Sequence, residues 1–190
     1  MAGSVSAKVR EFATKYGNPS RLIIHFYKEK MSDEEIAPIE TALKDLQLPN
    51  PIPIFILHIN KTEAKDIIAY DNDWKGNWMP FSGTYISIGN RKYLLFNNSR
   101  YPNETFNAMD GYPFPIKLSI NCSIEKQLEN QATINELINQ VYQFSRMYFK
   151  SLTQQNLPVT VKYPEIIAEL APYMESADLP DNSKNDLWFL

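Results

Sequence analysis

Cysteine is almost absent from this sequence, with Cys122 the sole example. A lone thiol excludes an internal disulfide and a zinc site built from cysteines, and it suits a reducing compartment. Histidine is nearly as scarce, at His25 and His58. Neither sign of charge dominates: 19 Lys and Arg face 22 Asp and Glu, for a net charge of −3. That balance argues against a general electrostatic grip on nucleic acid and leaves room for a local basic groove. No apolar run approaches the about 20 residues that span a bilayer. Met1-Ala2-Gly3-Ser4 has neither the charged start nor the apolar stretch of a signal peptide, and reads as a cloning scar. The expectation is a cytoplasmic protein with no membrane contact. P-loop, GxGxxG, GxSxG and HExxH motifs are all missing.

What is present is globular. Hydrophobic residues make up 44% and aromatics 13% of 190 residues, enough for one domain with a real core. Residues 5–17 have the spacing of a short amphipathic helix closed by Gly17. Leu22 to Tyr27 reads as a buried strand. Ser32 with Glu35 reads as a capping box opening a helix, along which Ile36, Ile39, Leu43 and Leu46 recur. Residues 52–59 form a second buried strand. Strand, helix and strand make a βαβ unit with parallel strands.

The middle of the chain differs. Residues 66–70 suggest a short strand before a loop that runs through Gly83. Residues 84–88 and 91–96 flank Gly89-Asn90, a hairpin signal. Residues 97–115 read as a surface loop and 116–120 as another strand. Thr133 with Glu136 suggests a second capping box, opening a helix through Lys150. Residues 159–162 read as extended, with Pro164 opening a last helix. The two parallel strands read as buried on both faces, so each needs neighbours. Further strands are expected from a longer parent or from a partner chain.

Several groups invite a chemical reading. His25 and His58 lie on neighbouring strands, although satisfied core histidines are the commoner outcome. Asp33, Glu34 and Glu35 fall in a first helical turn, where they favour the helix dipole. Asp66, Asp71 and Asp73 read as loop carboxylates before metal ligands. Cys122 reads as a strand-end thiol with no nucleophile motif around it. Lys61 follows the second strand, Arg146 and Lys150 are four apart on the long helix with Tyr148 between, and Lys162 ends the last extended segment. Cations at strand and helix ends suit a phosphate backbone, and ordinary solvated lysines are the competing reading. The acidic segment from Tyr163 ends abruptly in Asp186-Leu187-Trp188-Phe189-Leu190, which suggests a docked terminus with a fixed carboxylate.

Taken together, RLIIHFYK, INKTEAKDIIAYD, SGTYISIG with YLLFNNSRY, GYPFPIKLSI, QVYQFSRMYFKSLTQQNLPVTVKYPE and the final DLWFL resemble the C-terminal half of the PIWI domain of short prokaryotic Argonautes. The resemblance covers nearly the whole chain from about residue 6, in the right order. It implies an α/β fold, an RNase H-like mixed sheet flanked by helices and incomplete in this chain. Residues 1–20 would be an N-terminal helix with the possible scar, and 21–190 the C-terminal part of PIWI. The family's metal-binding positions fall on Tyr27, where slicing members carry Asp, and on Glu165. A phenol does not replace a carboxylate ligand, so the slicer site reads as lost and the chain as catalytically inactive. Lys61, Tyr148, Lys150 and Lys162 fall on guide-phosphate positions, with Arg146 nearby. The terminal carboxylate of Leu190 would help hold Mg2+ at the guide 5′-phosphate. Implied partners are guide RNA, target single-stranded DNA, the remaining MID-PIWI portion, and an APAZ-containing TIR or sirtuin-like effector in prokaryotic defence. Two other readings stay open. One is a metal-dependent RNase H-type nuclease using Glu165, Asp66 and a further carboxylate. The other is an α/β interaction module that completes a partner's sheet.

Overall fold

The structure, a computed structural model, describes residues 2–27, 31–48, 50–61, 69, 80–97, 114–148 and 157–174. Helix α1 (Ala2–Tyr16) turns Val5 and Val9 inward. It ends at Gly17, whose positive φ of 88° lets its N–H close on the Ala13 carbonyl at 3.0 Å. Strand β1 (Leu22–Tyr27) follows. Helix α2 (Asp33–Lys44) opens where expected, with the Glu35 carboxylate accepting from the Ser32 N–H at 2.8 Å. Strand β2 (Ile54–Asn60) runs parallel to β1 in unbroken register, from Leu22 opposite Ile54 to Tyr27 opposite Ile59.

A hairpin of β3 (Thr84–Gly89) and β4 (Lys92–Phe96) comes next. Its turn is Asn90-Arg91, one residue later than the sequence suggests. Both have positive φ, 50° and 58°, as a two-residue turn matched to strand twist requires. Strand β5 (Ile116–Cys122) completes a mixed five-stranded sheet of order β1-β2-β5-β4-β3. The expected strand at 66–70 and the bulk of the loops at 70–83 and 97–115 lie outside the described residues.

Helices cover both faces. On one, Ile54 and Ile56 of β2 pack with Val9 of α1 and with Ile39 and Leu43 of α2. On the other, Phe55, Leu57 and Ile59 pack with Leu118 and Ile120 of β5 and with a helix, α3 (Gln131–Ser145). Residues Ile134, Leu137, Ile138 and Val141 form the buried stripe of α3. Alternation along β2 therefore sends its side chains into two separate cores.

Two helix boundaries correct the sequence reading. Asn130 caps α3, its side chain accepting from the Ala132 N–H at 2.9 Å, so Thr133 is already inside the helix. Glu136 is drawn away to the Arg21 guanidinium, which holds its carboxyl below its ordinary value. At the other end α3 stops at Ser145, whose hydroxyl donates to the Tyr142 carbonyl at 2.6 Å. Tyr148 lies beyond the helix.

Residues 159–162 are not extended; they open α4 (Val159–Leu170), and Pro164 sits inside it. Their β-branched composition misleads because the Pro158 carbonyl accepts from the N–H groups of both Val161 and Lys162 at 2.9 Å, winding the first turn. Burial of Leu157, Val159 and Val161 holds that turn to the core, and tertiary packing outweighs propensity.

His25 and His58 cannot share a ligand. Phe26 stands opposite His58, so His25, one residue away, projects from the other face. His25 Nδ1 lies 2.6 Å from the Thr160 hydroxyl, and its ring meets Phe144 edge-on at 6.0 Å. Burial lowers its pKa to about 4. His58 is buried against Phe26. Each is a structural histidine.

Two outcomes follow for stability. Asn130→Ala should lower unfolding free energy by about 1 kcal/mol, whereas Thr133→Ala should change it by less than about 0.5 kcal/mol; urea unfolding of both variants checks the cap. Because the neutral form of His25 is favoured in the folded state, its contribution is complete above the free value of 6.5. It drains away as pH falls towards 4. Urea midpoints between pH 7.5 and 4.5 should record roughly 2–3 kcal/mol of loss from this group, absent in His25→Gln.

Candidate nucleic-acid interface

Sheet topology gathers many chain ends at one place. β1 and β2 are parallel and finish together at Tyr27 and Asn60. β5 begins there, with Lys117 opposite Asn60. β4 finishes beside it, Leu95 opposite Ile116, and β3 begins opposite Phe96. The carboxyl end of the parallel pair is where open α/β sheets place their ligands.

Both covering helices of the second face deliver polar ends to this place. Arg21, just before β1, pairs with Glu136 early in α3, and His25 further along β1 meets Phe144 near its end. Thus α3 runs alongside β1 in the same direction, and its last turn reaches the carboxyl end. There Tyr142 packs on Gly83, where a Cβ atom would come within 3.3 Å of the ring. The Arg146 guanidinium sits 5.5 Å from the Tyr142 ring centre and donates to its hydroxyl at 2.8 Å. The His25–Thr160 contact brings the first turn of α4 to the same end.

Three of the sequence-selected residues meet here with one that was not. Tyr148 lies with its ring 6.1 Å from that of Tyr163, and Lys162 feels the Tyr148 hydroxyl. Lys162 pairs with Glu165 at 2.7 Å, a bond that raises the lysine's pKa, as do the more distant Glu169 and Tyr148. Glu165, expected at a metal position, is therefore the counter-ion of Lys162. Tyr163 was missed; as the neighbour of Lys162 in a helix, it is invisible to a reading that made this segment a strand. Tyr27 closes β1 on the face of α3 and packs against its core.

Other expectations separate from this group. Lys61 is exposed at the end of β2, beside Asn60 and its cross-strand neighbour Lys117. Lys117 also escaped notice, although strict alternation from Ile116 to Ile120 marks it as turned away from that core. Arg146 caps the end of α3 rather than continuing it, so the helix stops short of the Lys150 to which the sequence reading extends it. Lys150, Leu190, Asp66, Asp71 and Asp73 lie outside the described residues. Cys122 closes β5, its sulfur accepting from the Ile124 N–H at 3.4 Å, and burial pushes its thiol up, away from nucleophile chemistry. Among the described residues, no three His, Cys, Asp or Glu are grouped to hold a metal ion, and no helix is long and apolar enough to cross a membrane.

The arrangement offers cations and tyrosine rings along a strand-end shelf, a combination that contacts phosphates and stacks on bases. No protein-family model matches the chain. A Piwi protein of Archaeoglobus fulgidus is 24% identical over 167 residues, covering 83% of this chain. The chain spans only 38% of that relative's length. A mixed five-stranded sheet flanked by helices is consistent with the RNase H-like architecture of PIWI, and with the similarity to the archaeal protein it supports a PIWI-like domain in this chain.

Proposed function

We propose that this chain is a catalytically inactive PIWI segment that binds guide RNA and target single-stranded DNA and relays their pairing to a defence effector. The observation that carries the reading is the grouping of Tyr148, Tyr163 and Lys162 where α3 ends and α4 begins, beside the carboxyl end of the parallel strands. Nucleic-acid binding is the part that similarity to a Piwi protein supports. Inactivity rests on chemistry: two-metal hydrolysis needs carboxylates holding ions about 4 Å apart. At this strand end stands a phenol, and Glu165, the other expected metal position, is engaged by Lys162.

Phosphate binding here is shared with that internal salt bridge. A backbone phosphate approaching Lys162 replaces or joins Glu165, a compensation that weakens non-specific binding. The ring pair Tyr148–Tyr163 adds a stacking surface beside the cation. The reading extends to partners: the remaining MID-PIWI portion, a Mg2+ ion at the guide 5′-phosphate with the Leu190 carboxylate, and an APAZ-containing TIR or sirtuin-like effector in the cytoplasm.

Purification of the chain coexpressed with its neighbouring genes tests the reading. Short 5′-phosphorylated RNA should copurify and bind complementary DNA. Lys61→Glu with Lys162→Glu should reduce affinity at least about tenfold and flatten the salt dependence by about one unit of slope per lysine. Lys15→Glu on α1 should do neither. Absence of RNA, or no response to the double variant, contradicts guide binding. Target cleavage supported by Mg2+ or Mn2+ contradicts inactivity and favours the RNase H-type nuclease.

A further inference from the structure

Lys162 and Glu165 are paired in an order that α4 itself does not favour. Lys162 closes the first turn, where a cation opposes the helix dipole, and that turn holds no acidic residue. A glutamate placed before a lysine supports a helix better than the reverse order found here. Yet the two side chains meet at 2.7 Å, with 26% and 32% of their surfaces exposed. Helix stability does not account for the pair.

What the pair sets is the charge of the place. Among the described residues, Lys162 feels the Glu165 carboxylate most, then the carboxylate of Glu169 and the hydroxyl of Tyr148. Glu169 follows Glu165 by one helical turn, on the same face of α4. One ammonium group is thus faced by two carboxylates, and the rings of Tyr148 and Tyr163 stand beside it with centres 6.1 Å apart. A bare lysine attracts an anion more strongly the more charge that anion carries. With a carboxylate fixed alongside, every further negative charge is attracted by the one group and repelled by the other. A backbone phosphodiester brings one negative charge. A terminal phosphate monoester brings about 1.5 to 2 at neutral pH, because its second pKa is about 6.

We infer that Glu165 makes the Lys162 seat selective for the internal phosphodiesters of a nucleic-acid strand and against terminal phosphate monoesters. The strand gives one phosphodiester to Lys162 and a neighbouring base to the tyrosine rings. Glu165 remains alongside as a fixed negative charge that repels a doubly charged end. A 5′-phosphate is thereby kept out of this seat, which is left to the interior of the strand. This selectivity rests on the nucleic-acid reading of the site, to which it adds a specificity-determining residue. Discrimination of this kind comes from a repulsive element as much as from an attractive one.

Two small probes test it by NMR titration of the 190-residue chain, followed at the ring signals of Tyr148 and Tyr163. Thymidine 5′-monophosphate and its methyl ester share base and sugar and differ by one negative charge at about pH 8. The unaltered chain should bind the methyl ester at least as tightly as the monophosphate. Glu165→Gln should tighten the monophosphate at least about threefold more than the ester, reversing the order. At about pH 5, where both probes carry nearly one charge, that reversal should vanish. Glu129→Gln, before α3 at its far end, changes the net charge equally and should leave the ratio of affinities alone. Lys162→Gln should weaken both probes. If Lys162→Gln weakens both but Glu165→Gln leaves their ratio unmoved, the selectivity is overturned and the nucleic-acid reading stands. A clear preference of the unaltered chain for the monophosphate also overturns the selectivity alone. Ring signals that respond to neither probe at millimolar concentration, or affinities indifferent to Lys162→Gln, overturn both.

Discussion

Burial of β2 on both faces is the constraint on which the rest of the structure depends. Its residues Ile54 to Ile59 are buried without exception, and alternation commits them to two cores at once. A strand of this kind needs a covering layer on each side and a neighbour along each edge. Helices α1 and α2 supply one layer, while α3 with the start of α4 supplies the other. Along the edges stand β1, parallel through the α2 crossover, and β5, returning antiparallel. Two parallel strands and a returning third then bring ends of all five strands to one place.

That geometry explains why the candidate interface is assembled from chain ends rather than from a helix surface. Lys61 follows β2, Lys117 begins β5, Tyr148 follows α3, and Lys162 lies in the opening turns of α4. None depends on a long helical face for its position. His25 contributes from behind: by meeting Thr160 and Phe144 it ties both helices to β1. A histidine that the sequence offers as a catalytic candidate serves the site as scaffold. Glu165 likewise exchanges an expected metal for a lysine.

Much of the fold was legible in the sequence, because strong apolar periodicity leaves few alternatives. The βαβ unit, the Ser32–Glu35 box, the hairpin and the stripe of α3 all carry their own signals. What failed was local punctuation. Asn130 and Thr133 are both plausible caps, and the choice depends on Arg21, far away in sequence, claiming Glu136. Val159 to Lys162 looks extended because β-branched residues favour strands. The segment coils because its valines reach the core only as a helical turn closed on the Pro158 carbonyl. The site suffered from the same error: as a strand, this segment hides Tyr163 and Thr160 and leaves Glu165 apparently available for a metal. Cross-strand register, which placed Lys117 beside Asn60, has no signature in a single sequence.

The account's central claim is that guide and target lie across the carboxyl end of β1 and β2. Photo-crosslinking of a 4-thiouridine-substituted, 5′-phosphorylated guide to the coexpressed complex, with crosslinked residues mapped by mass spectrometry, tests it most directly. The account predicts adducts clustered on Tyr148, Tyr163 and the peptide bearing Asn60 and Lys61. Adducts confined to α1 and α2, on the opposite face of the sheet, would contradict it.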